Sequence, residues 1–214
     1  MGKAINIAII DYRMSNIFSI KNALDTLGYN SQVTSNSKEI LAADGAVLPG
    51  VGSFPEAMKH LYQLNLIQPI KEFIASGKPF MGICLGLQLL FSKSTEFTDC
   101  EGLNIINGKV ENLSKYIPNV TVPHVGWNTI IKNETTSFSN IKSSIMSRSF
   151  EKDHYYFVHS YIVEPDDINH IFTKTRYSGF DFCSSVLVDN VFACQFHPEK
   201  SGPKGLMFLN KFFR

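Results

Sequence analysis

The chain has 214 residues, with 20 Lys and Arg against 19 Asp and Glu and a formal net charge of +1. That length suits one domain with a sizeable core and is short for two. A near-neutral chain with no block of like charge is not built to hold nucleic acid through its phosphates, and a hydrophobic fraction of 44% excludes disorder. No apolar run approaches the ~18 residues of a membrane span. The start, Met1-Gly-Lys-Ala-Ile-Asn6, lacks the length and cleavage site of a signal peptide. Asn6 also stands where N-myristoylation wants Ser or Thr. A cytoplasmic protein is expected. Cys84, Cys100, Cys183 and Cys194 form no Cys-x-x-Cys pair and no His lies at zinc-finger spacing, so neither a metal site nor disulfides are expected.

The apolar run over 5–10 suits a buried parallel strand. Ile17, Ile20, Leu24 and Leu27 recur at steps of three and four, which predicts a helix stopped by Gly28. Short strands are expected over 32–34 and 45–48, the second ending at Pro49-Gly50. Helices follow over 54–64 and 67–75, the latter halted by Ser76-Gly77. A strand over 79–83 runs directly into a helix over 85–91. This alternation predicts a parallel sheet covered by helices. The second half differs. Strand-like runs recur over 109–112, 127–131, 155–158, 170–175, 182–188 and 191–195, with turns such as Asp189-Asn190 between them. They predict antiparallel or mixed strands added to the first unit. A closing helix is expected over 205–213, and a polar, Ser-rich loop over 133–149. No linker divides residues 1–214, which read as a single domain.

The sharpest local feature is Gly82-Ile-Cys84-Leu-Gly86. A strand ends, a nucleophile follows and a helix begins, which is the pattern of a nucleophile elbow. Glycines on both sides permit the tight turn. A thiol at a helix N-terminus has its thiolate favoured, and the carboxyl end of a parallel strand is where open α/β sheets place ligands. Taken alone, Cys84 reads equally well as a small core cysteine. The second feature is Gln195-Phe-His197-Pro-Glu199. A Cys nucleophile needs a base, and a carboxylate orients such a base. Pro198 holds His197 extended, and two extended steps put His197 and Glu199 on one side. By itself this run also fits a surface loop after a strand. The third feature, Leu48-Pro-Gly-Val-Gly-Ser53, offers backbone N–H groups at a strand end, suited to an oxyanion. It reads as well as a plain strand-to-helix turn.

Together, in this order, these pieces resemble the class I (triad) glutamine amidotransferases, and among them the glutaminase subunit of imidazole glycerol phosphate synthase. The motifs that carry the resemblance span nearly the whole chain. They are Asp11-Tyr-…-Asn16, Pro49-Gly-Val-Gly-Ser-Phe54, Gly82-Ile-Cys-Leu-Gly-Leu-Gln88, Pro123-His-Val-Gly-Trp-Asn128, Val158-His-Ser-Tyr161 and Gln195-Phe-His-Pro-Glu-Lys-Ser201. The resemblance implies an open, mixed, mostly parallel sheet flanked by helices, flavodoxin-like, with antiparallel strands in the C-terminal half. It implies that Cys84 attacks the side-chain amide of glutamine, that His197 moves the proton and that Glu199 orients His197. Backbone N–H groups of Leu85 and, after a rearrangement, Val51 would hold the oxyanion. Gly50, Gly52, Gln88, Glu96, His159, Ser160 and Tyr161 would form the glutamine site. Asn16, Pro123, Trp127 and Lys200 would face a separate (β/α)8-barrel synthase that uses the ammonia. No cofactor and no metal are implied. Trp127 is otherwise a core residue by type, and Glu96 otherwise a solvated charge.

The first loop departs from the family. Asp-Tyr-Gly-x-Gly-Asn becomes Asp11-Tyr-Arg13-Met-Ser15-Asn16, so both glycines are gone. Arg13 adds a long cation on the partner-facing side. Two other readings stand beside the first. The same chemistry could feed a sugar-amidating enzyme of surface-polysaccharide synthesis, or the chain could be a free-standing Cys γ-glutamyl hydrolase.

Overall fold

The computed structural model describes residues 4–14, 16–133 and 153–214. In chain order, β1 (Asn6–Ile10) leads through α1 (Ile17–Thr26) to β2 (Asn30–Thr34), and α2 (Ser37–Ala42) leads to β3 (Gly45–Leu48). Helices α3 (Phe54–Gln63) and α4 (Ile67–Ala75) precede β4 (Phe80–Ile83), which enters α5 (Leu85–Leu89) through Cys84. Next come β5 (Phe91–Ser94), β6 (Cys100–Glu101), β7 (Ile106–Asn112), β8 (His124–Thr129) and β9 (Ile131–Lys132). The chain continues with β10 (His154–His159), β11 (Tyr161–Pro165), β12 (Ile171–Tyr177), β13 (Phe180–Val188), β14 (Val191–Cys194) and α6 (Gly202–Phe213).

The main sheet runs β2-β1-β3-β4-β14-β13-β11-β7-β5-β6, with β12 on β13 and β9 on β12. The first five strands are parallel. Their order is the flavodoxin-like 2-1-3-4-5, with β14 as the fifth strand. β3, β4 and β14 are buried at every residue, as parallel strands covered on both faces must be. The two faces feed separate cores. Ala8 and Ile10 of β1 join Ile40, Leu61, Ile70 and Phe73 from α2, α3 and α4. Ile7 and Ile9 join Ile20 and Leu24 of α1 with Phe208 and Leu209 of α6. The alternation along β1 is the strand's period of two. Beyond β14 the sheet turns antiparallel through β13, β11 and β7, as expected for the second half. β8 and β10 form a separate two-stranded sheet.

Several boundaries differ from the expectation. The helix after Cys84 ends at Leu89, and Phe91 already begins β5. The run over 85–91 is almost wholly apolar and buried, so no periodicity marks where helix gives way to strand. The strand expected over 127–131 is two strands, β8 and β9, that pair with different partners. α2 has one buried residue, Ile40, too few for a helical stripe, and it is started instead by Asn36, which accepts a hydrogen bond from the Lys38 N–H. The loop expected over 133–149 lies outside the described residues from position 134 onward, as does Ser15.

Candidate active site

Three neighbouring parallel strands deliver the three sequence features to one place. Leu48 of β3 pairs with Gly82 of β4, and Ile83 of β4 pairs with Cys194 of β14. Pro49-Gly50, Cys84 and Gln195–His197 therefore leave the sheet side by side at its carboxyl edge. Cys84 takes φ 55 and ψ −109, a backbone state foreign to most L-residues. Its N–H donates to the Cys194 carbonyl at 2.7 Å. The flanking glycines are required by contact. A Cβ on Gly86 would stand 1.8 Å from the Leu48 carbonyl oxygen, and one on Gly82 would stand 2.8 Å from that of Gly86.

His197 and Glu199 meet as expected, by a different route. Pro198–Lys200 form a single turn of 3-10 helix rather than an extended run. The turn folds Glu199 back, and His197 Nδ1 donates to its Oε1 at 2.8 Å. Both side chains are buried. The His197 N–H donates to the Tyr156 carbonyl at 2.8 Å, and Ser201 Oγ donates to the His197 carbonyl at 2.6 Å. With Nδ1 engaged, Nε2 is the free nitrogen, and it is buried without an aligned hydrogen bond. Burial opposes a charge on this ring, but Cys84 and Glu199 outweigh it and push the pKa up to about 10. Gln195 Nε2 lies 3.6 Å from Cys84 Sγ.

A cleft of ≈ 280 Å³ opens over the thiol. Val51, Gly52, Cys84, Leu85, Gln88, Glu96, His159, Ser160 and Tyr161 line it, joined by Val158 and Pro123. Gly50 stands behind this lining. Its Cβ position is occupied by the Tyr12 hydroxyl, 2.1 Å away, and that hydroxyl donates to the Pro49 carbonyl at 2.7 Å. The two amides expected to hold an oxyanion are both engaged. The Leu85 N–H points to the Gly50 carbonyl at 3.4 Å, and the Val51 N–H donates to the Met14 carbonyl at 3.1 Å. Neither amide is therefore free to receive an oxyanion in this conformation. Met14, which engages the Val51 amide, belongs to the first loop, where Arg13 has φ 71.

Glu96 accepts from the Phe54 N–H at 2.6 Å, and burial raises its pKa. Gln88 Nε2 donates to the Tyr161 carbonyl at 3.2 Å and to Gln195 Oε1 at 3.1 Å. Both ring nitrogens of His159 are engaged within the protein, so it offers no free nitrogen to a ligand. Trp127 is 56% exposed, which rules out the core alternative. Its ring meets Tyr156 edge-on at 6.1 Å, and Tyr156 lies 6.4 Å from His197. Lys200 and Pro123 are exposed, while Asn16 is half-buried at the start of α1 and accepts from Ser19 Oγ at 3.0 Å. Pro123 thus borders the cleft as well as the surface. Tyr12, Gln195 and Ser201 lay inside the quoted motifs without a role, and Tyr156 had no signal at all. Among the described residues, no three His, Cys, Asp or Glu side chains are grouped to hold a metal ion, and no helix is long and apolar enough to cross a membrane.

The family model for class-I glutamine amidotransferases matches residues 8–214. Imidazole glycerol phosphate synthase subunit HisH of Aquifex aeolicus is 47% identical over 208 residues, covering 96% of this chain and 95% of that one. The HisH subunit of Caldanaerobacter subterraneus is 44% identical over 207 residues and 96% of each chain. The structure of PurLQS from Thermotoga maritima shares the fold, with a TM-score of 0.73 over 98% of each chain at 20% identity. With adjoining parallel strand ends presenting a Cys, a His and a Glu above a lined cleft, and with relatives matched along nearly their whole length, the chain belongs to the class-I glutamine amidotransferases and, within them, to the HisH subunits of imidazole glycerol phosphate synthase.

Proposed function

We propose that the chain is the glutaminase subunit of an imidazole glycerol phosphate synthase of histidine biosynthesis. The observation that carries the reading is the buried His197–Glu199 pair beside Cys84, which itself lines the cleft. Cys84 Sγ attacks the amide carbon of the glutamine side chain. His197 Nε2 gives its proton to the departing nitrogen, which leaves as ammonia, and a glutamyl thioester remains. The same Nε2 then takes a proton from water as it attacks the thioester, releasing glutamate and the thiolate. Glu199 fixes the ring through Nδ1 and favours its charged form. The oxyanion needs the N–H groups of Leu85 and Val51. Both are tied to carbonyls here, so the chain alone is a slow glutaminase and the strand over 49–52 must turn to activate it. Gln88, Glu96 and the backbone over 159–161, with Gly52, receive the amino-acid end of glutamine.

The partner is a (β/α)8-barrel synthase bound as a heterodimer. It uses the ammonia on the phosphoribulosyl formimino carboxamide nucleotide PRFAR. The exposed Trp127, Pro123 and Lys200, with Asn16, support a contact face at the cleft rim. Free Cys84, Cys100, Cys183 and Cys194 support a reducing, cytoplasmic setting. Arg13 in place of the family glycine favours a second reading, in which the partner amidates a sugar. The test measures glutamate formation by the chain alone, with a purified barrel synthase and PRFAR, and with a sugar-amidating enzyme. Strong stimulation by the barrel and its nucleotide is expected, and Cys84→Ala should abolish it. Stimulation by the sugar-amidating enzyme alone would overturn the histidine-pathway reading. High activity without any partner would indicate a free-standing hydrolase.

A further inference from the structure

The motif Pro123-His-Val-Gly-Trp-Asn128 contains a histidine that the reaction does not use. His124 is 3% exposed, between Phe157 at 5.0 Å and Tyr177 at 4.1 Å by ring centroids. Its Nδ1 lies 3.0 Å from His159 Nε2. His159 Nδ1 lies 3.0 Å from the Tyr161 carbonyl. A carbonyl only accepts, so His159 carries its proton on Nδ1 and its Nε2 is an acceptor. His124 must then donate from Nδ1, which leaves its own Nε2 to accept. Asn128 Nδ2 stands 3.4 Å from that nitrogen. The Asn128 amide is oriented by the Thr129 N–H on Oδ1, at 2.8 Å, and by its donation to the Arg176 carbonyl, at 3.0 Å. Burial keeps both rings neutral, so each carries a single ring proton.

The chain therefore has one direction, from Asn128 through His124 and His159 to the Tyr161 carbonyl. At that carbonyl it meets Gln88, which also holds Gln195 beside the thiol. We propose that His124 is a positioning residue for glutamine: its hydrogen bond locks His159 as the Nδ1–H tautomer, and this holds the Tyr161 carbonyl and the Gln88 amide at the cleft. Without the donor, His159 is free to carry its proton on Nε2. Its Nδ1 lone pair would then face the Tyr161 carbonyl and push the 160–161 backbone away from Gln88.

The test has a spectral arm and a kinetic arm, and only the kinetic arm rests on the glutaminase reading. Long-range proton–nitrogen spectra of the full chain should show both His124 and His159 as neutral Nδ1–H rings. His124→Phe keeps the ring stack and removes the donor, so His159 should shift toward the Nε2–H form. His124→Asn returns an N–H near the Nδ1 position and should restore the wild-type tautomer. With saturating barrel partner, His124→Phe should raise the KM for glutamine about tenfold, as expected for one hydrogen bond, with kcat within about twofold. His124→Asn should recover most of that loss. An Nε2–H ring at His159 in the wild type, or an unchanged KM in His124→Phe, overturns the proposal. So does a defect confined to kcat or to stability that His124→Asn leaves in place. A correct tautomer pair in a chain that hydrolyses no glutamine upholds the lock and overturns the glutaminase reading.

Discussion

Cys84 sits at φ 55 and ψ −109, a state that costs about 1–3 kcal/mol for a residue with a side chain. Its N–H to the Cys194 carbonyl and the contacts of Gly82 and Gly86 hold it there. Arg13, at φ 71, takes a left-handed turn of the kind that favours glycine, and sets a cation there. Glu199 is the residue whose role is most separable. It touches His197 Nδ1 and does not line the cleft. Glu199→Gln should lower kcat about 10²–10⁴-fold, by analogy with loss of the acid in a Ser-His-Asp triad, and leave the KM for glutamine within about twofold. Steady-state kinetics with the partner present check this, and a rise in KM alone would assign Glu199 to binding instead. Cys84, His197 and Glu199 were legible because their types and spacing match a reaction. Tyr156 and His124 were not, because their neighbours come from other strands.

The elements explain the glycine spacing. β4 and α5 cross beneath Leu48 of β3 so closely that Gly86 has no room for a methyl group. Gly86→Ala should destabilise the fold by at least about 3 kcal/mol, the scale of a severe core clash. A urea unfolding curve reads this directly, and an unchanged midpoint would show that β3 and α5 move apart freely. The spacing was visible in the sequence, but the reason for it was not, since the obstructing carbonyl belongs to a strand 38 residues earlier. The short α5 shows the same limit. Where every residue is apolar, neighbours decide between helix and strand. The turn over Pro198–Lys200 likewise replaces an extended pair, because Ser201 Oγ reaches back to the His197 carbonyl and Gly205 packs against the Pro198 carbonyl.

At the scale of the molecule, the carboxyl edge of the parallel strands presents Cys84, His197 and the strand over 49–52, and the separate β8–β10 sheet sets an exposed aromatic beside them. Trp127 stands out, touches Tyr156 and is one ring away from His197. A protruding Trp is a common energetic centre of an interface. Under the proposed pairing, Trp127→Ala should weaken binding of the synthase partner by about 2 kcal/mol, roughly thirtyfold in Kd, as read by titration calorimetry. Unchanged affinity would put the partner elsewhere. The sequence by itself determined the parallel half of the sheet and singled out Cys84, His197 and Glu199 as candidates, while most of the cleft lining came only through the resemblance to the family. The strands and the three candidates follow from local spacing, since apolar period, turn residues and reactive side chains are all written within short windows. Only the tertiary structure decided that the Val51 and Leu85 amides are occupied, that His159 turns its ring inward and that Trp127 is on the surface. Each of these depends on atoms brought together from distant strands, where hydrogen-bond direction and burial are set by packing.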